Sequence, residues 1–162
     1  MINQMRKRLE SDVPSLASYS HAIVFGGVND LYSDITANRK LPRIQADLTR
    51  IYSRLSEQGV AVIAITVTPW GGFRRYHTPL RSQNTQSLNQ WIVTQQRAGK
   101  LHAAVDAYPL LSCGVPEELC PELAAPFKDG LHFGKLGQRR LGEAVFAAGF
   151  RGCQGERGAH SP

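Results

Sequence analysis

The sequence is poor in several things, and each shortage excludes a class. It has 3 cysteines, and no cysteine and histidine set has the spacing of a structural zinc site, so a metal-stapled fold is not expected. No apolar run approaches a bilayer's thickness. The longest, near residues 22–25 and 60–65, are strand-sized, so no membrane span is expected. Gly 15 and Pro 9 are too few for collagen-like or low-complexity chains. No internal repeat is visible. The first ten residues are polar and basic with no apolar region after them, so no signal peptide is read. Acidic residues are the scarcer sign, 13 against 19 basic, a net +6. The basic residues stand in small scattered groups such as Arg74-Arg75 and Arg139-Arg140. Nucleic-acid binding calls for a clustered stripe with interleaved aromatics, so no nucleic-acid partner is expected.

What remains is an ordinary globular composition in 162 residues, 42% hydrophobic and 20% charged, enough for one domain with its own core. Cys113 and Cys120 flank a short proline-containing loop. A bridge between them would suggest a secreted or periplasmic protein, and two free thiols a reducing compartment. The sequence leaves both readings, and therefore the localisation, open.

Periodicity gives the order of elements. Residues 2–16 read as a helix. Residues 22–26 form a short continuous apolar run stopped by Gly26-Gly27, which suits a buried parallel strand. Ile44, Leu48, Ile51 and Leu55 fall on one face of a helix over 42–58. Residues 60–67 are the clearest strand, β-branched or small apolar almost throughout. Residues 70–80 read as an aromatic, basic loop. A further helix covers 82–98, with Leu88, Trp91 and Ile92 inward, and a third strand covers 101–107. Residues 109–128 are expected to be irregular. A last helix spans 134–148, with Leu136, Leu141 and Val145 inward. The domain is expected to be 1–148 and residues 149–162 a disordered tail. Strands alternating with helices predict an α/β parallel sheet covered on both faces.

Two clusters could carry chemistry. Gly26-Gly27-Val28-Asn29-Asp30 closes the first strand, at the carboxyl edge where such sheets bind ligands. Glycine lets the backbone approach a ligand, and an asparagine amide can stabilise an oxyanion without changing charge. A plain strand-to-helix turn capped by Asn29 or Asp30 explains the same residues. Asp129-Gly130-Leu131-His132 precedes the last helix. A carboxylate three residues before a histidine can curl back across a glycine turn and hold its ring. Alone, that string is common. His21 and His102 read as structural, and Asp106 as fixing a loop.

Together, in this order, the two clusters resemble the SGNH hydrolases, the GDSL-type esterases and lipases. Val24-Phe25-Gly26-Gly27-Val28-Asn29-Asp30 looks like the family's third block and Asp129-Gly130-Leu131-His132 like its fifth. Thr68-Pro69-Trp70, Leu88-Asn89-Gln90-Trp91-Ile92 and Val105-Asp106 are similar to family members in between. The resemblance implies a three-layer α/β/α, flavodoxin-like fold and ester hydrolysis by Ser-His-Asp chemistry. His132 would be the base, Asp129 the residue orienting it and Asn29 the oxyanion donor, with Gly27 shaping the turn. No cofactor and no metal is implied. The substrate would be a small-molecule, glycan or lipid ester, and Trp70, Arg74 and Tyr76 are candidates to bind it.

The family's first block, a Gly-Asp-Ser turn, has no counterpart here, nor has the glycine of the second. The chain is therefore expected to lack the first two strands and the nucleophile, which stays unknown. Ser11, Ser15, Ser18, Ser20 and Ser112 all lie off any strand-to-helix turn. Three expectations follow: little esterase activity in this chain, a non-catalytic ligand-binding domain as the alternative function, and self-association through the exposed edge of the first strand.

Overall fold

The computed structural model describes residues 1–13, 15–32 and 41–150. In chain order the elements are α1 (Ile2–Asp12), a 3-10 turn (Leu16–Ser18), β1 (His21–Phe25), α2 (Val28–Tyr32), α3 (Leu41–Glu57), β2 (Ala61–Ile65), α4 (Pro79–Arg97) and β3 (Ala103–Val105). Then come α5 (Tyr108–Leu111), β4 (Ser112–Cys113), β5 (Val115–Leu119), α6 (Pro121–Ala124) and α7 (Lys135–Gly149). Strands β1, β2 and β3 form a parallel sheet in that spatial order, with His21 opposite Ala61 and Ile63 opposite Ala103. This is the expected α/β class, with three strands in the parallel sheet.

The sheet is layered because β2 alternates. Val62 and Ala64 point into a core shared with α1, α3 and α4. Ile63 and Ile65 point the other way, into a second core with Leu141 and Val145 of α7. Successive side chains of a strand leave on opposite faces, so an all-apolar strand needs cover on both. The chain moves steadily in one direction across the sheet. Its two crossover helices, α3 and α4, therefore pack on the same face, as right-handed connections require. The Ile44, Leu48, Ile51 and Leu55 stripe of α3 is buried there as its spacing predicts. α4 begins at Thr78, whose hydroxyl accepts from the Arg81 N–H at 3.3 Å, with Pro79 in the first turn.

On β1, one face is buried through Val24, while Ile23 and Phe25 are 54% and 40% exposed. α7 covers β2 and β3 but leaves these two residues uncovered. Among the described residues β1 pairs with β2 alone.

Several boundaries differ from the sequence reading. α1 ends at Asp12, and Leu16 belongs to the separate 3-10 turn. The segment expected to be irregular holds an antiparallel hairpin, β4 with β5, closed by a Cys113–Cys120 disulfide. Leu136, expected inward, is exposed on the first turn of α7, off the stripe made by Leu141 and Val145. α7 reaches Gly149, and Phe150 packs on His21 with ring centroids 4.7 Å apart. The expected tail from residue 151 onward, Cys153 included, lies outside the described residues.

Candidate active site

The first cluster is a turn made by backbone geometry. Gly27 has φ of +117°, and a side chain there would meet Val67 and Leu88 at 3.2 and 3.4 Å. Its carbonyl accepts from the amides of Asp30 and Leu31 at 2.9 and 3.1 Å, so the chain turns straight into α2. Asn29 rides on that first turn. Asp30 is buried, and its carboxylate accepts the Ile2 N–H at 2.9 Å. It thus caps α1, a helix distant in sequence, and favours the positive end of that helix's dipole.

The second cluster closes as its spacing predicts. One oxygen of Asp129 accepts from the backbone amides of Leu131 and His132, each at 2.9 Å. The other lies 2.6 Å from His132 Nδ1. The His132 backbone donor is the largest influence on the Asp129 carboxyl, followed by the His132 ring and the Leu131 amide. Together they hold it down at about 2. At neutral pH the carboxylate is ionised and can only accept, so Nδ1 of His132 carries its proton. In the neutral ring the far nitrogen, Nε2, is then the acceptor.

His132 and Asn29 line one cleft of about 370 Å3 with Thr68 and Gln138. Phe25, Phe127 and Phe133 supply much of its apolar wall. Thr68 is brought there by the end of β2, where the Asn89 carboxamide clamps Val67. It accepts from Val67 N–H at 2.8 Å and donates to the Val67 carbonyl at 2.9 Å. Thr68, Phe127 and Gln138 were not singled out as site residues. Two of them had a signal: Thr68 follows a strand's carboxyl end, and Gln138 sits one turn into the helix that His132 introduces.

The three residues expected to bind substrate separate. Trp70 is fully buried, its indole N–H donating to Thr85 Oγ1 at 3.1 Å and its ring edge-on to His77 at 4.8 Å. It is a core residue, since its polar atom finds a partner only inside. Tyr76 packs in an aromatic group with Tyr32 and Phe73, at 5.4 and 4.9 Å. Arg74 is 85% exposed, 3.9 Å from Glu118, and lines a neighbouring cleft. None of the three lines the His132 cleft.

Among the described residues no serine lines that cleft. Ser11 donates to the Arg8 carbonyl, Ser20 bonds the His21 ring, and Ser112 donates to the Tyr108 carbonyl. Ser15 and Ser18 sit on the turn after α1. Asp106 accepts from the Tyr108 amide at 3.2 Å, tying the loop after β3. His21 and His102 stack edge-on at 5.5 Å, below the sheet's working edge. Among the described residues no three His, Cys, Asp or Glu side chains gather as a metal site. No described helix is long and apolar enough to cross a membrane.

The fold and site together are a parallel α/β sheet with an asparagine turn after its first strand and an Asp-His turn before its last helix. Residues 2–140 match the GDSL-like lipase/acylhydrolase family, and the chain belongs to it, the SGNH hydrolases. Two solved structures share the fold. A candidate acylhydrolase from Bacteroides fragilis aligns with a TM-score of 0.77 at 22% identity, over 91% of this chain and 69% of that one. A GDSL-like lipase from Bacteroides thetaiotaomicron aligns at 0.76 and 23%, over 91% and 70%. No curated protein matches the sequence significantly.

Proposed function

We propose that the chain carries the base and oxyanion side of an acyl ester hydrolase. His132 is the general base, Asp129 orients it, and Asn29 donates its amide N–H to the developing oxyanion, on a turn shaped by Gly27. The observation behind this reading is that Asn29 and His132, far apart in sequence, line one cleft, and His132 is held at Nδ1 by an ionised carboxylate. In the reaction, Nε2 takes the proton of an attacking hydroxyl and returns it to the leaving alcohol. Asn29 stabilises the negative oxygen between those steps. The substrate class is an acyl ester of a sugar, lipid or small molecule.

The nucleophile is the open position. Among the described residues lining the cleft there is a base and an oxyanion donor but no serine. Loss of a triad's serine costs on the order of 10⁶ in turnover. We therefore propose that this chain binds acyl esters and turns them over weakly or not at all. The test is a purified chain with 4-nitrophenyl butyrate. Expected are backbone amide shifts at Asn29 and His132 and hydrolysis at the buffer rate. Robust turnover abolished in His132→Ala overturns the non-catalytic part, and silent Asn29 and His132 amides overturn the site.

The partner we propose for β1 is a second copy. Two identical edges pairing antiparallel about a two-fold axis would satisfy the backbone groups of both and set the exposed Ile23 and Phe25 of each copy beside those of the other. Light scattering should show a dimer that Ile23→Lys dissociates; a monodisperse monomer overturns the proposal.

A further inference from the structure

The cleft at His132 has a neighbour that shares Phe127 with it. Phe127 is 46% exposed, its ring 5.7 Å from the His132 ring. The neighbouring cleft is slightly larger, about 420 Å3. Three pieces of chain build it: the loop after β2 with Gly72 and Arg74, strand β5 with Glu118 and Leu119, and the segment from α6 to Gly130 with Phe127 and Lys128. Its charged groups are two cations, Arg74 and Lys128, and one carboxylate, Glu118.

These two clefts differ in kind. Phe25, Val28, Leu131 and Phe133 make the His132 cleft suitable for a hydrocarbon acyl arm. The neighbour sets an apolar patch, Leu119 and Phe127, beneath an excess of positive charge. Arg74 is only loosely engaged. It lies 3.9 Å from Glu118, beyond hydrogen-bond range, on a side chain 85% exposed. A pair of that kind holds the fold very little, so Arg74 can re-pair with a better acceptor. A guanidinium fork matches a carboxylate or phosphate, and the Lys128 ammonium adds a point charge from a different segment of the lining.

We propose that this second cleft receives the alcohol arm of the ester and that the arm is anionic, carrying a carboxylate or a phosphate. Arg74 and Lys128 hold the charge, the carbon skeleton lies on Leu119 and Phe127, and Phe127 divides the two arms. The assignment of the arm rests on reading the His132 cleft as the place of the acyl group.

The test uses the whole chain and matched probes by NMR. Glycerol 1-phosphate is compared with glycerol, and 4-hydroxybutyrate with 1-butanol, so that phosphate and carboxylate are told apart. The anionic member of a pair should bind about tenfold tighter, shifting the Gly72, Phe127 and Gly130 amides. Arg74→Gln and Lys128→Gln should each remove most of that preference, and added salt should weaken only the anion. Glu118→Gln, which removes the competing carboxylate, should tighten it. Equal affinity for charged and neutral alcohols, or a preference that survives both cation substitutions, overturns the proposal. Butyramide, a neutral acyl probe, reports separately at Asn29 and His132. A charge preference at Gly72 and Gly130 with silence there overturns the ester reading, not the anion site.

Discussion

Gly72 and Gly130 meet backbone to backbone. A Cβ built on Gly130 would lie 2.0 Å from the Gly72 carbonyl carbon, and one on Gly72 would lie 2.9 Å from Gly130 Cα. Gly130 also has φ of +72°. This contact presses the loop after β2 against the Asp129–His132 turn, so it fixes where the histidine stands. Gly130→Ala should cost about 1–3 kcal/mol from backbone strain, with more from the clash. It should also shift the His132 ring signals. Gly142→Ala is the control: it is helical with open space around it, and should gain up to about 1 kcal/mol. Urea denaturation of the two variants measures both.

Asp129 makes a pH prediction. Its carboxyl sits near 2 against an ordinary 3.8, because three donors favour the ionised form. A depressed carboxyl contributes stability that is present above the unfolded pKa and lost as pH falls through the folded one. The chain should therefore lose stability between about pH 4 and pH 2. Asp129→Asn should be less stable at neutral pH and flatter across that window. The group is exposed, so the difference is small. Parallel melts at several pH values check it; identical slopes for the two proteins would contradict it.

Trp70 separates core from rim. As a fully buried side chain bonded to Thr85, Trp70→Ala should cost about 3–5 kcal/mol. Arg74→Ala, on an exposed side chain, should change stability by less than about 0.5 kcal/mol. Chemical denaturation decides between this and a rim position for Trp70, which would make both changes mild.

The hairpin makes a prediction through its disulfide. Cys113–Cys120 closes β4 on β5. From β5 the Glu117 carbonyl accepts the Gly71 amide at 2.6 Å, and the Glu117 carboxylate accepts from the Ser82 hydroxyl. The paired Cys113→Ser and Cys120→Ser change should cost about 2–3 kcal/mol by the loop-entropy argument. Faster amide exchange should follow at Gly71, across the contact. Unchanged exchange there would mean the bridge steadies the hairpin alone.

The sequence showed most where the signal is local. The α3 stripe and the β2 run each carry their burial in their own periodicity, and Asp129 reaches His132 across one glycine. The hairpin escaped because Val115-Pro116-Glu117-Glu118 has a proline, two charges and no alternation. It is a strand by virtue of its partner and its bridge. Trp70 read as a loop aromatic because its reason to be inside, Thr85 and His77, comes from residues the loop and α4 fold back upon it. Leu136 read as inward because helical spacing cannot say which end of a stripe outruns the core. The second cleft was invisible, being assembled from three separate pieces of chain.

The Ile2–Asp30 hydrogen bond carries a consequence for motion. It ties the first turn of α1 to the turn that bears Asn29, and both ends of the bond are buried. When α1 detaches, the buried Asp30 side chain gives up the Ile2 N–H as a donor, and losing a hydrogen bond at a buried site is uphill. The helix and the asparagine turn should therefore open as one cooperative unit rather than fray separately. In hydrogen exchange, the amides of Ile2 and Leu31 should report the same opening free energy, despite belonging to two different helices.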